Sequence, residues 1–454
     1  MKLNKPTKIL ALGAAVTLSS MSAQAADKEL LDMLLQNGAI KQSQYDNLIK
    51  KETISKKDVN DIKIKLNKKG LQFATADGEY KMKIGARLHA DATFHSGDNK
   101  IKADSATNGT EIRRARIYLK GNMGKDFKYL SEFDFADNNT AIKDLFLTYT
   151  GLDWLEVTVG HQKQSISMEL QESSNDIMFT ERSLVNTITG HAFDRAIGLH
   201  FKSKGKNWSA QIGAYGESVD PSKVAGDEGW GMTSRVTYSP INTKNQVVHL
   251  GAYGGFRETN DNNDILNGGK NTDIKYETTH MSNFYLTEAD NIANAENLSI
   301  GGIEAAYMQG PFSVQGEYAY SWLTRDGAPS VDFNAFYVQT GWTLTGESRS
   351  YKGSDGEFKR LKPAKNFSLN SDGGWGAVEL AARYDQSDMT SGNVQGGGEK
   401  AVTVALNWYL NENVRLMADY RTAFDVDKSA RFANEDQGDL ESIDIFTLRT
   451  QWAF

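Results

Sequence analysis

From Tyr80 onward, apolar and polar residues alternate along the chain. In Lys81-Met82-Lys83-Ile84-Gly85-Ala86-Arg87-Leu88-His89-Ala90-Asp91 the apolar residues fall on one side and Lys81, Lys83, Arg87, His89 and Asp91 on the other. A period of two is the mark of a strand with two unlike faces. The pattern recurs near 80–94, 112–123, 127–136, 141–150, 154–162, 195–204, 207–217, 229–239, 246–257, 298–308, 312–323, 333–344, 375–387, 399–410, 413–424 and 441–454, giving sixteen predicted strands. In the last of them Phe446, Leu448, Thr450, Trp452 and Phe454 share a face, and the chain stops on that aromatic. Residues 27–70 follow a different rule. Leu30, Leu31, Leu34 and Leu35, then Ile40, Tyr45, Leu48 and Ile49, recur at helical spacing, interrupted by Asn37-Gly38 and followed by Lys-rich sequence. This predicts two short helices and a polar tether.

Sixteen antiparallel strands with one apolar and one polar face suit a transmembrane β-barrel, in which the apolar face meets lipid and the polar face lines a lumen. At that strand number the interior holds an aqueous channel rather than a packed core. The terminal aromatic looks like the closing strand of a bacterial outer-membrane barrel. Lys2, Lys5 and Lys8, the apolar run Ile9 to Leu18 and Ala23-Gln24-Ala25 form a secretory signal peptide. That apolar run is too short to span a bilayer, which needs roughly 20 residues. The predicted division is therefore 1–25 signal peptide, 26–75 periplasmic helical segment and tether, and 76–454 barrel. Alternate links between strands are short: Gly124–Asp126, Gly151–Asp153, Gly205–Lys206, Pro240–Asn245, Gln309–Pro311 and Asn411–Glu412. The others are mostly longer and polar, as expected of periplasmic turns and external loops. The link 345–374 breaks this rule, as an insertion or an unrecognised strand pair. With 41 Gly, 18 Tyr, 20 Phe and 39% hydrophobic residues, the composition suits such strands. There is no Cys, so no disulfide or thiolate metal site. The net charge is −7, and −10 without residues 1–25, which hold three lysines and no acid; this argues against nucleic acid as a partner.

Strand phase assigns the lumen. If Met82, Ile84, Ala86 and Leu88 face lipid, then Lys81, Lys83, Arg87 and His89 face inward. In the second strand Arg114, Arg116, Tyr118 and Lys120 face inward, and Arg113 is out of phase at the rim. Arg235, Arg257, Arg383, Arg415, Arg421 and Arg449 also fall on polar faces. Fixed cations along a pore favour anions, and the guanidinium fork matches phosphate oxygens. The alternative is a paired network, for which Asp91, Glu132, Asp134, Asp144, Glu317, Glu379 and Asp419 are available. The loop from His161 to Asp194 carries Ile166, Met168, Leu170, Ile177, Met178, Phe179, Leu184 and Val185, which would pack it against an inner wall and narrow the pore.

Arg113-Arg114-Ala115-Arg116-Ile117-Tyr118-Leu119-Lys120-Gly121, Ser131-Glu132-Phe133-Asp134-Phe135, Thr180-Glu181-Arg182-Ser183, Leu344-Thr345-Gly346-Glu347, Trp375 to Tyr384 and Asn407-Trp408-Tyr409-Leu410-Asn411 together resemble the phosphate-selective porin O and P family. The resemblance spans about 110–454. It implies a homotrimeric outer-membrane channel for small anions such as phosphate, with an arginine ladder along the lumen and lysines at the constriction. Here Arg87, Arg114, Arg116, Lys120, Lys83 and Arg383 are the expected anion path. The constriction loop departs from the family. Between Gln164 and Gly190 it holds no lysine and sets Glu169, Glu172, Asp176 and Glu181 against Arg182, leaving Lys163 at its start. An acidic constriction would weaken or reverse anion preference, so a general or cation-preferring porin is the rival reading. A third reading makes 27–70 a structural tether to the cell wall. Among the seven His there is no H-E-x-x-H pair, and there is no G-x-S-x-G elbow or Walker loop, so neither enzyme, cofactor nor metal is expected.

Overall fold

A computed structural model describes residues 31–46, 62–97, 107–217, 219, 227–261, 271–275, 277, 279–281, 285–370, 373–427 and 440–454. The signal peptide expected over 1–25 and the tether lysines at 50–57 lie outside the described residues. Residues up to Lys63 form a unit of their own. It contains helices α1 (31–36) and α2 (42–46), linked where the Tyr45 hydroxyl donates to Asp32 Oδ1 at 2.5 Å.

In the second unit a short hairpin, β1 (Lys63–Asn67) and β2 (Gly70–Ala74), precedes sixteen barrel strands. These are β3 (Lys81–Gly97), β4 (Gly109–Met123), β5 (Phe127–Asp134), β6 (Ala141–Leu152), β7 (Leu155–Lys163), β8 (Arg195–Lys204), β9 (Trp208–Tyr215), β10 (Gly231–Asn242) and β11 (Gln246–Glu258). They continue, after a small hairpin β12 (Thr272–Lys275) and β13 (Glu288–Ile292), with β14 (Ala295–Gln309), β15 (Phe312–Arg325) and β16 (Ala328–Thr343). A second hairpin, β17 (Ser350–Lys352) and β18 (Glu357–Lys359), separates these from β19 (Ala377–Ser391), β20 (Val394–Tyr409), β21 (Val414–Val426) and β22 (Leu440–Ala453). Every barrel strand pairs antiparallel with its neighbours, and β22 closes the ring on β3 from Ala453↔Arg87 to Ile443↔Gly97. Below Arg87, β3 changes partner to β2, through Leu71↔Ile84 to Ala74↔Lys81. The chain end sits at this change: Phe454 N donates to Ala86 O, and the Tyr118 hydroxyl donates to Phe454 O at 2.8 Å.

The outward residues are those the alternation assigns to lipid. Ile117, Val159, Leu199, Val236, Leu250, Ile303, Val338, Val404 and Leu448 are all exposed. Exposed aromatics band the two ends, with Trp208, Tyr307, Trp342 and Trp452 near the short turns and Trp230 and Trp322 near the long loops. Such girdles mark the membrane interfaces.

The link 345–374 is an insertion, not a missed pair of barrel strands. It holds β17 and β18, which pair only with each other. Although it leaves from the short-turn end, its tip lies in the lumen: Arg235 donates to Asp355 O at 3.0 Å and Gly356 O at 2.7 Å. Phe358 is fully buried with Met168, Val247 and Met308.

Of the described glycines Gly121, opposite Met82, has the least room: an added Cβ would lie 1.6 Å from Lys81 O. Backbone has nowhere to move here, so Gly121→Val should block closure of β3 on β4, with a cost well above the roughly 1–3 kcal/mol of ordinary overpacking. Heat-modifiable gel mobility is expected to show mostly unfolded barrel, whereas Gly301→Ala, with open space around it, should fold.

Candidate functional site: a lumen with one covered and one open wall

The lumen is organised by the loop between β7 and β8. It folds inward and carries helices α3 (Met168–Gln171) and α4 (Val185–Phe193). Its apolar residues account for this. Ile166, Leu170, Val185, Ile188 and Phe193 are buried against Tyr253, Leu298, Ile300, Leu323, Phe333 and Tyr337 of β11–β16. Met178 and Phe179 pack on Ala381 and Ala405 of β19 and β20. The loop thus covers one half of the inner wall.

Several charged groups on that half bond the loop backbone. Glu317 accepts from Met168 N at 3.1 Å and Glu169 N at 2.7 Å, and Ser167 Oγ accepts from Leu170 N, so a wall carboxylate and a serine together cap α3. Asp385 accepts from Leu184 N, and Asp419 from Thr180 N at 2.6 Å. The wall cations take loop carbonyls: Arg383 that of Glu181, Arg415 that of Ile177, and Arg449 that of Thr180. Arg383 also stacks on Phe179 at 4.5 Å. It was expected on the anion path, but it lies beneath the loop, 2% exposed at its side chain, and acts as an anchor.

On β3–β8 the inner wall stays open and lines a cavity of about 1310 Å³. Twelve Lys and Arg line it against six Asp and Glu. The expected path residues Arg87, Arg114, Arg116 and Lys120 are here, and Lys83 joins Lys120 in flanking the Tyr118 ring, at 5.2 and 5.0 Å. Several of the cations are paired. Arg87 and Arg116 share Glu132, at 3.1 and 2.9 Å, and Arg116 also reaches Asp134 at 2.6 Å. Arg195 bridges Asp144 and Asp194. Among the described residues Arg114, Lys120 and Lys143 have no carboxylate partner within ion-pair distance; Arg114 hydrogen-bonds the His89 ring, at 3.3 Å.

Two β-bulges enrich this wall. The β3–β4 register steps from His89↔Arg114 to Ala90↔Ile112, leaving Arg113 as the extra residue. The β5–β6 register steps from Glu132↔Asp144 to Phe133↔Ile142, leaving Lys143. A bulge re-aims side chains that strict alternation would send outward, and both residues line the cavity. Arg113, read from sequence as a rim residue out of phase, is bidentate to Glu181 at 2.8 and 3.2 Å. Lys143 and Arg195, and Lys359 and Arg360 from the inserted hairpin, were not identified from sequence.

The acidic constriction loop presents little negative charge to the cavity. The Glu169 carboxylate faces the wall side and accepts from Ser183 N and Oγ. Burial raises the pKa of Glu169, and that of Glu172 to about 8, so Glu172 is protonated at neutral pH. Burial opposes ionisation of Glu181 as well, but Arg113, Arg114 and Arg449 outweigh it and hold its pKa well below the usual range. Asp176 faces the cavity with Arg360 at 3.5 Å. Lys163 and Arg182 seal the far end of α3. The Lys163 ammonium donates to the carbonyls of Leu170, Gln171 and Glu172, and Arg182 to those of Glu169 and Glu172. Neither takes a carboxylate there, and both are committed to loop carbonyls.

Glu172 also joins the two inserts, since Phe358 N donates to its Oε1 at 3.2 Å. Its raised pKa means that the folded arrangement binds a proton that the unseated loop releases. The resulting stabilisation is fully present below about pH 4.5 and is lost as pH rises to about 8. Channel noise and protease sensitivity of the loop should therefore increase across that interval, and Glu172→Gln should flatten the dependence.

A family model for phosphate-selective porin O and P matches residues 82–454. Porin O of Pseudomonas aeruginosa is 29% identical over 432 residues, covering 87% of this chain and 93% of that protein. In fold, the chain is similar to an anion-selective porin from Comamonas acidovorans (TM-score 0.54, 13% identity, 83% of this chain and all of that one). It is also similar to the trimer form of OmpT from Vibrio cholerae (TM-score 0.51, 11% identity, 82% and 99%). The matched family model, the closed sixteen-stranded barrel and the inward-folded loop together place this chain in the phosphate-selective porin O and P family, as an outer-membrane porin.

Proposed function

We propose that this porin is a diffusion channel for small hydrophilic anions, phosphate among them, with no catalytic step. The observation that carries the reading is the charge of the open wall: twelve basic against six acidic residues around the cavity. Solutes pass between the constriction loop and β3–β8, along Arg114, Lys143 and Lys120 and then past Lys83. Arg87 and Arg116, shared with Glu132, contribute positioned donors but less net field. Ammonium groups without carboxylate partners attract an anion without holding it in a fork, which suits conduction, since binding must be weak enough for release. The cation-preferring alternative rested on the acidic loop. Burial and protonation of Glu172, and the pairing of Glu181 with two arginines, remove its main support.

A homotrimer is the assembly favoured by the family and by the trimeric form of OmpT. Residues 26–75 are read as a periplasmic segment ahead of the barrel at 76–454, available for contact with the cell wall.

The test is the zero-current potential of purified protein in a planar bilayer under a potassium chloride gradient, with and without phosphate. The expected sign is anion-selective, with phosphate reducing chloride current. Lys120→Gln together with Lys143→Gln leaves no carboxylate orphaned. It should lower the anion-to-cation permeability ratio by roughly 3- to 10-fold, the size expected for losing about 1 kcal/mol of attraction from charges screened by pore water. An unchanged ratio would remove these two lysines from the path, and a cation-selective wild-type potential would overturn the reading.

A further inference from the structure

At the long-loop end of the barrel, three separate segments bring metal-ligating groups together. Glu111 stands near the start of β4, Asp137 in the turn between β5 and β6, and His280 in the long loop between β11 and β14. One ligand atom from each lies within 4.8 Å of the others. His280 Nδ1 is 2.5 Å from Glu111 Oε2, and His280 Nε2 is 3.9 Å from Asp137 Oδ2. We propose that Glu111, Asp137 and His280 form a binding site for a borderline divalent metal ion, Zn²⁺ in type, that ties the long loop to the mouth of the pore.

Charge balance is the first argument. Glu277, three residues before His280, lies near the cluster, its carboxyl interacting electrostatically with His280 and Glu111. Two carboxylates thus converge on one imidazole, with a third carboxyl nearby. Arg113, which also acts on Glu277, is already bidentate to Glu181. Even with His280 protonated the cluster keeps an excess of negative charge. It does so at the entrance to a cavity that is otherwise basic, where Glu277 itself is part of the lining. A divalent cation would neutralise this excess and remove a barrier to entering anions.

Ligand chemistry and reach give the second argument. One imidazole with two or three carboxylates suits Zn²⁺ and its neighbours, whereas Ca²⁺ and Mg²⁺ favour all-oxygen shells. The Zn²⁺ ligand bonds are about 2.0–2.2 Å, so the ligand atoms must settle a little over 3 Å apart. One ligand atom from each residue already lies within 4.8 Å of the others, so small side-chain shifts would close the set. Asp137 faces the other ring nitrogen, and its side chain, 61% exposed, is the ligand that would move to share the ion. His280 and Glu111 are 21% and 13% exposed, so two ligands are held while one adjusts. The proposed ligands sit on a strand end, a tight turn and a long loop, so the ion would cross-link elements far apart in sequence.

The test uses the whole protein in detergent, without a polyhistidine tag. It is titrated with Zn²⁺ by calorimetry and with Co²⁺ by visible absorption, with Ca²⁺ as the all-oxygen comparison. The expected result is one saturable Zn²⁺ site and Co²⁺ d–d bands, with affinity at least tenfold lower in His280→Ala and Glu111→Gln. The exposed Asp137→Asn, which threatens the fold least, should also weaken binding. Heat-modifiable gel mobility checks that each variant is folded. Absence of a saturable site, affinity unchanged in folded His280→Ala and Asp137→Asn, or equally tight Ca²⁺ binding would each overturn the proposal.

Discussion

The structure depends on one constraint: a barrel this wide has an inner wall of polar side chains that must find partners. Water can supply them in an open pore. Here charged groups on the covered half of the wall instead bond the chain itself. Glu317, Asp385 and Asp419 accept loop N–H groups while Arg383, Arg415 and Arg449 donate to loop carbonyls. These are charge-assisted bonds to backbone, each worth roughly 1.5–3 kcal/mol and far more costly when one partner is left unpaired. The loop is therefore a fixed part of the lumen, and its Glu169 and Glu172 are turned into the seam.

From this follows the separation of charge. Covering β11–β22 hides that wall's carboxylates and confines the aqueous path to β3–β8, where basic residues are in excess. The inserted hairpin extends the arrangement from the opposite end. Its carbonyls at Asp355 and Gly356 take Arg235, its Phe358 packs beneath the loop, and its Lys359 and Arg360 face the cavity. Loop and hairpin enter from opposite ends and meet at Glu172. A protonated carboxyl at that junction avoids adding a charge beside Glu357 and Asp176, both of which disfavour its ionisation.

Much of this was legible in the alternation of residues. Sixteen strands, the identity of the lipid face and the inward loop all follow from period two and from apolar residues placed where a solvent-exposed loop has no use for them. What alternation hides is any break in its own rule. Arg113 beside Arg114, and Lys143 beside Asp144, read as one residue in and one out; a bulge at each place brings both to the lumen. Arg383 illustrates a second limit. Its phase is inward, yet facing inward and lining the pore differ once a loop lies between. The acids of the loop illustrate a third, since their effect depends on burial and partners that composition does not carry. The Glu111, Asp137 and His280 cluster spans 169 positions between its outer members in distance along the chain, with no local spacing to mark it.

Arginine and lysine divide the work along chemical lines. Arginine's planar fork suits fixed bidentate partners. The pore uses it where geometry must be held: Arg449 on Asp91, Arg113 on Glu181 and Arg235 on Glu304. Lysine's point charge on a flexible stem suits transient attraction, and Lys120 and Lys143 keep no carboxylate. A ladder and a paired network are thus not alternatives within this lumen. The paired arginines build a rigid wall of fixed donors, and the few cations left over supply its net field. Were every cation paired, the wall would hold its shape but lose its selectivity. Were none paired, mutual repulsion and unsatisfied acids would unseat the loop that defines the path.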